Sequence, residues 1–85
     1  MAVLVKVDGT KEEVTIKGDF KKCQELVEGY VAQYPYCGQD GFQGILANED
    51  GKMVGMPVNV KATIMSGYRG DFLVGDVIFY VKGEF

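Results

Sequence analysis

Two short β-branched runs open the chain. Met1 to Asp8 carries A-V-L-V-K-V-D, and Glu12 to Lys17 reads E-E-V-T-I-K, with the polar turn Asp8-Gly9-Thr10-Lys11 between them. In the second run Val14 and Ile16 alternate with Glu13, Thr15 and Lys17, so one face points inward and the other meets water. The pattern predicts a β-hairpin. After Gly18 the period changes: Phe20, Cys23, Leu26 and Val27 form a stripe with Lys21, Lys22, Gln24, Glu25 and Glu28 opposite it. That stripe predicts an amphipathic helix of about three turns. Asp19 is placed to cap it, and Gly29 to close it as the left-handed residue.

Tyr30 to Tyr36, Y-V-A-Q-Y-P-Y, suits a strand, because Pro35 removes an amide and forces Tyr34 away from helical geometry. Tyr30, Ala32, Tyr34 and Tyr36 then share one face, and Pro35 places the strand at an edge or at its end. A loop at 37–41 leads to a returning strand, Phe42 to Asn48, and the turn Asn48-Glu49-Asp50-Gly51. Pro57 suits the first position of a second short helix, with Val58, Ala62 and Met65 as its stripe and Gly67 as its end. Residues 70–75 read as loop. Asp76 to Lys82, D-V-I-F-Y-V-K, is apolar on both faces and predicts a central, doubly covered strand. The expected architecture is one α+β domain over residues 1–85, in the order β-β-α-β-β-α-β. A mainly antiparallel sheet carries both helices on one face.

Composition changes this picture chiefly by exclusion. The 85 residues contain no His and no Trp, and Ser66 is the only serine, so Ser-His-Asp and Cys-His machinery cannot be assembled within one chain. Cys23 and Cys37 without imidazoles do not supply the four ligands of a structural zinc site, and their spacing is not C-x-x-C. No metal or cofactor is expected. The start M-A-V-L-V-K-V-D-G lacks a basic segment ahead of a long apolar run, so a cytoplasmic location and reduced cysteines are expected. No apolar stretch approaches the roughly 20 residues that span a bilayer. Lys+Arg 9 against Asp+Glu 12, a net charge of −3, with scattered cations and a single Arg, argues against nucleic-acid binding and also against a dense acidic mimic of DNA.

Four segments carry a resemblance. V-E-G-Y-V-A at 27–32, L-A-N-E-D-G-K at 46–52, M-P-V-N-V-K-A-T at 56–63 and G-D-V-I-F-Y-V-K-G at 75–83 resemble the family labelled domain of unknown function 3846. The most specific part is Pro57-x-Asn59-x-x-Ala62-Thr63. Members of that family occur in phages, large DNA viruses and mobile elements, so the resemblance implies an accessory role in infection or host defence with no established catalysis.

Candidate chemistry lies in three groups. Pro57, Asn59, Ala62 and Thr63 either build the start of the second helix, with the Asn59 and Thr63 side chains bonding backbone, or present an amide and a hydroxyl to a ligand. Tyr30, Tyr34 and Tyr36 form either a stacking platform or a covering for the core and sheet edge. Lys61 and Arg69 flank the second helix, as solvated charges or as a cradle for phosphate or carboxylate. The series Gly38-x-x-Gly41-x-x-Gly44 lacks the Lys-Ser/Thr and helix start of a phosphate loop, and the turn at 48–51 lacks calcium-loop spacing.

The absence of a positioned imidazole base makes a non-catalytic role the expectation. A hydrophobic fraction of 47% in so small a chain leads to a homo-oligomer, whose interprotomer clefts take a small molecule that one copy alone is too thin to enclose. The leading expectation is a viral or mobile-element binder that sequesters a small, nucleotide-derived immune signal. In it the tyrosines stack the base, and Asn59, Thr63, Lys61 and Arg69 hold the polar groups. The competing expectation is an inhibitor that caps a host defence protein with the tyrosine-rich edge.

Overall fold

A computed structural model describes residues 2–83, so Met1 of the expected first strand lies outside the described residues. Five antiparallel strands form one sheet: β1 (Ala2–Val5), β2 (Lys11–Val14), β3 (Val31–Tyr34), β4 (Gly44–Asn48) and β5 (Val77–Tyr80), in the spatial order β2-β1-β5-β4-β3. Two helices complete it, α1 (Phe20–Val27) and α2 (Val60–Ser66). The α+β class and the order β-β-α-β-β-α-β are those the sequence patterns predict. β5 is central and fully buried, and β3, ahead of Pro35, is an edge.

The helices sit on opposite faces of the sheet and not on one. Antiparallel register places Ala2, Leu4, Leu46, Ile78 and Tyr80 on a common face, where they form a core with Ile16, Cys23 and Val27. Val5, Ile45, Ala47, Val77 and Phe79 fall on the other face and pack with Ala62 and Leu73, with Met65 of α2 against them. The cause is that the centre of the sheet is apolar on both faces. β4 and β5 bury every position, so cover is required on both sides. α1 links β2 to β3, at opposite edges, and covers one face; α2 links neighbouring β4 and β5 and covers the other.

Asp19 caps α1, its carboxylate accepting from the Lys22 amide at 3.1 Å. The stripe of α1 is narrower than expected, since Phe20 is 57% exposed and the buried residues are Cys23 and Val27. The left-handed residue that closes α1 is Glu28, with φ 64°, and not Gly29. Gly29 is instead a point of close approach, because a Cβ there would lie 2.5 Å from Asn48 Nδ2. That amide of Asn48 donates to the carbonyls of Val27 and Glu28, at 3.2 and 3.3 Å, and its Oδ1 accepts from the Asp50 amide at 2.8 Å. The C-terminal end of α1 is thereby tied to the end of β4.

Pro57 does not start α2. It is exposed, Val58 bridges Val74, and the Gly75 amide donates to the Pro57 carbonyl at 2.9 Å, so 57–58 is held extended. Asn59 is the N-cap, its Oδ1 accepting from the Ala62 amide at 2.9 Å, and Gly67 closes the helix in the left-handed region as expected. Asn59 is 0% exposed, and its Nδ2 donates to the carbonyls of Val5 and Gly75, both at 2.8 Å. One buried amide therefore joins α2, the end of β1 and the loop before β5.

Replacing Asn59 with Leu leaves two carbonyls and one amide unpaired in the interior, each costing about 1–3 kcal/mol. Urea unfolding of Asn59→Leu is expected to show a loss on the order of 3 kcal/mol or more, whereas a variant of an exposed ligand-contact residue would unfold like the unaltered chain.

Candidate functional site

The residues expected to bind do not converge. Asn59 has its whole amide engaged within the fold, and Thr63 is engaged likewise: its hydroxyl donates to the Asn59 carbonyl at 2.8 Å and accepts from the Leu73 amide at 2.9 Å. Their polar groups build the α2 start and offer nothing to a ligand. Ala62 is fully buried against the sheet. Lys61 is exposed on α2 and lines neither of the clefts beside Tyr34.

The three tyrosines also separate. Tyr36 packs edge-on against Phe42 and Phe79, with ring centroids 5.4 and 6.0 Å apart, and its hydroxyl accepts from the Asp40 amide at 2.9 Å. Its ring belongs to the core of the α2 face and is not part of a platform. Tyr30 is 69% exposed and precedes β3, its carbonyl accepting from the Glu49 amide. Tyr34 is half-buried on the same sheet face as Ile45, beside the loop that follows α2.

That loop brings a site together. Tyr34, Pro35, Cys37, Tyr68, Arg69 and Asp71 line an open groove of about 460 Å3. Tyr68 fixes its geometry by donating its hydroxyl to the Pro35 carbonyl at 2.6 Å, while the Cys37 amide donates to the Ser66 carbonyl at 2.8 Å. The end of β3 is thus sewn to the end of α2. Arg69 stands exposed at this groove with no ion pair among the described residues. Two of the seven sequence candidates, Tyr34 and Arg69, therefore meet, and Tyr68, Cys37 and Asp71 join them. One signal for Tyr68 was present, an aromatic residue directly after the helix-closing Gly67.

On the other side of Tyr34 and Tyr68 a smaller cleft of about 80 Å3 reaches toward Lys52, Met53 and Phe72. Lys52 Nζ lies 2.6 Å from the Asp71 carboxylate and 4.5 Å from the Phe72 ring centroid. The hydrogen bond from Lys52, then that from the Phe72 amide, holds the Asp71 carboxyl below the usual range and keeps it ionised at neutral pH. The pair is solvent-exposed, so it fixes geometry more than stability. One protomer therefore forms a small cleft and an open groove on either side of Tyr34 and Tyr68.

Both cysteines are free, Cys23 buried and Cys37 exposed. Burial chiefly, with the nearby Asp19 charge, pushes the Cys23 thiol upward, and Cys37 is the thiol open to solvent. No helix among the described residues is long and apolar enough to cross a membrane.

The model of the family described as domain of unknown function 3846 matches residues 1–84, and the chain belongs to that family. No curated protein and no solved structure matches it.

Burial, then the neighbouring Cys37, Asp71 and Tyr34, pushes the Tyr68 hydroxyl up to about 12 from its ordinary 10. A raised phenol favours the folded state below the unfolded value, and that contribution is lost as pH climbs from about 10 through 12. Ultraviolet titration is expected to show one late-ionising tyrosine, and Tyr68→Phe to remove both it and the matching fall in stability.

Proposed function

We propose that this chain is a non-catalytic accessory protein of a virus or mobile element that sequesters a small planar anion of nucleotide type. The ligand occupies the groove of Tyr34, Tyr68 and Arg69, with a second copy of the chain as its outer wall. The observation that carries this reading is Arg69, an exposed guanidinium with no ion pair among the described residues, set beside two phenol rings. A guanidinium fork suits phosphate or carboxylate, and tyrosine faces suit a flat ring. A groove of about 460 Å3 is within the range of small-molecule sites, but its openness calls for a cover.

The cover is argued from the apolar surface alongside. Met53 is 88% exposed and Ile64 74%, and Val54, Val58, Val60 and Phe72 are exposed as well. Lys52 Nζ sits over the Phe72 ring, and Met53 lines the same cleft as Phe72, so part of this surface borders the groove. Together the six side chains expose on the order of 600 Å2, against the ~800 Å2 per partner of a standard interface.

Melting in the presence of adenosine and guanosine mono- and dinucleotides tests this, because a ligand of the folded state raises Tm with concentration. At least one nucleotide is expected to do so, Arg69→Gln to abolish the shift without lowering the unliganded Tm, and light scattering to give a dimeric mass. A flat response across the panel together with a monomeric mass would overturn the reading, whereas a dimer that ignores nucleotides would favour a protein-capping role.

A further inference from the structure

The opposite end of the sheet carries a second surface, independent of the groove. β2 is the outermost strand, and no strand pairs with its outer side among the described residues. The Lys6 amide donates to the Thr10 carbonyl at 2.8 Å, so alternation turns the backbone groups of Glu12 and Val14 toward β1 and those of Lys11 and Glu13 outward. Those outward N–H and C=O groups form a short open ledge. Beyond it, the Thr15 carbonyl is taken by Lys22 Nζ at 2.6 Å, which ends the ledge.

Directly inboard of that ledge, on the α2 side, lies an open groove of about 400 Å3. Its floor is Val3, Phe42 and Met65, and its walls include Lys11, Glu13 and Asp40. Val3, Phe42 and Met65 are only partly buried against the core of this face. Glu13 and Asp40 make no ion pair among the described residues, whereas the neighbouring Glu12 reaches Lys6 at 3.5 Å. An apolar floor flanked by two carboxylates that make no ion pair, with Lys11 as the one cation on its walls among the described residues, suits a side chain with a long aliphatic stem ending in a cation.

We infer that β2 accepts an extended basic peptide segment of another protein as a sixth strand. Its backbone pairs with the outward groups of Lys11 and Glu13. One of its Arg or Lys side chains crosses the groove, stem on Val3, Phe42 and Met65, head at Glu13 and Asp40. Backbone pairing supplies affinity, and the carboxylate-flanked groove supplies the preference for a cation at the position that crosses it.

The test uses the unaltered chain and fluorescent seven-residue peptides alternating Arg and Val, read by anisotropy. Saturable binding that weakens with salt is expected, with none for the Glu-Val counterpart. Methylating the backbone nitrogens of one alternate set should weaken binding at least about tenfold, while methylating the other set leaves it nearly intact, as a one-sided strand pairing requires. The double variant Glu13→Lys, Asp40→Lys should lose binding at an unchanged melting temperature. No saturable binding, or binding indifferent to which nitrogens are methylated, would overturn the proposal.

Discussion

Two buried asparagine amides tie both helices of this fold to its sheet. A helix end carries backbone groups without partners, and in so small a domain those groups meet the sheet and not water. Asn48 closes the C-terminal carbonyls of α1 against the end of β4, and Asn59 joins the first amide turn of α2 to β1 and to the loop before β5. Each amide uses both its donor and its acceptor, which is the condition under which a buried polar group specifies one geometry while its hydrogen bonds offset its desolvation. With the helices pinned on opposite faces, β4 and β5 are buried throughout and the sheet is covered on both sides over its centre.

The same clamp explains where binding capacity lies. Because Asn59 and Thr63 are engaged internally, the α2 start is rigid and chemically silent, while the segment after Gly67 carries the exposed aromatic and charged groups. Tyr68 anchors that segment to Pro35, so Arg69 projects from a fixed loop, as a positioned charge requires. The outer flank of α2 presents aliphatic residues beside the groove, and β2 presents an open edge at the far end of the sheet. Both lie outside the region that the asparagines seal.

Local signals were legible in the sequence and long-range ones were not. Asp19 before an amphipathic stripe, Gly67 after one, and Pro35 at a strand end act on neighbouring residues, and each stands where its chemistry predicts. The apolar run of β5 already implied cover on both faces, which conflicts with two helices on one side; the conflict shows that strand burial is the stronger guide to helix placement. Pro57 misled because its favourable position at a helix start competes with the Val58–Val74 bridge, 16 positions apart in sequence. The tyrosines share a strand periodicity, but Tyr36 meets Phe79 across the sheet, and nothing near Tyr36 in sequence announces that contact. For Asn59 the partner carbonyl belongs to Val5, 54 residues away, so its capping role was readable and its role as a clamp was not.

Amide hydrogen exchange at Ala62 bears most directly on the asparagine clamp. First-turn amides of a helix ordinarily exchange freely, since nothing in the helix accepts from them. With Asn59 Oδ1 as acceptor inside a sealed interior, the Ala62 amide is predicted to exchange as slowly as the central strand β5, through global unfolding alone. Exchange of Ala62 at the rate of an unprotected amide, while β5 stays protected, would contradict the account.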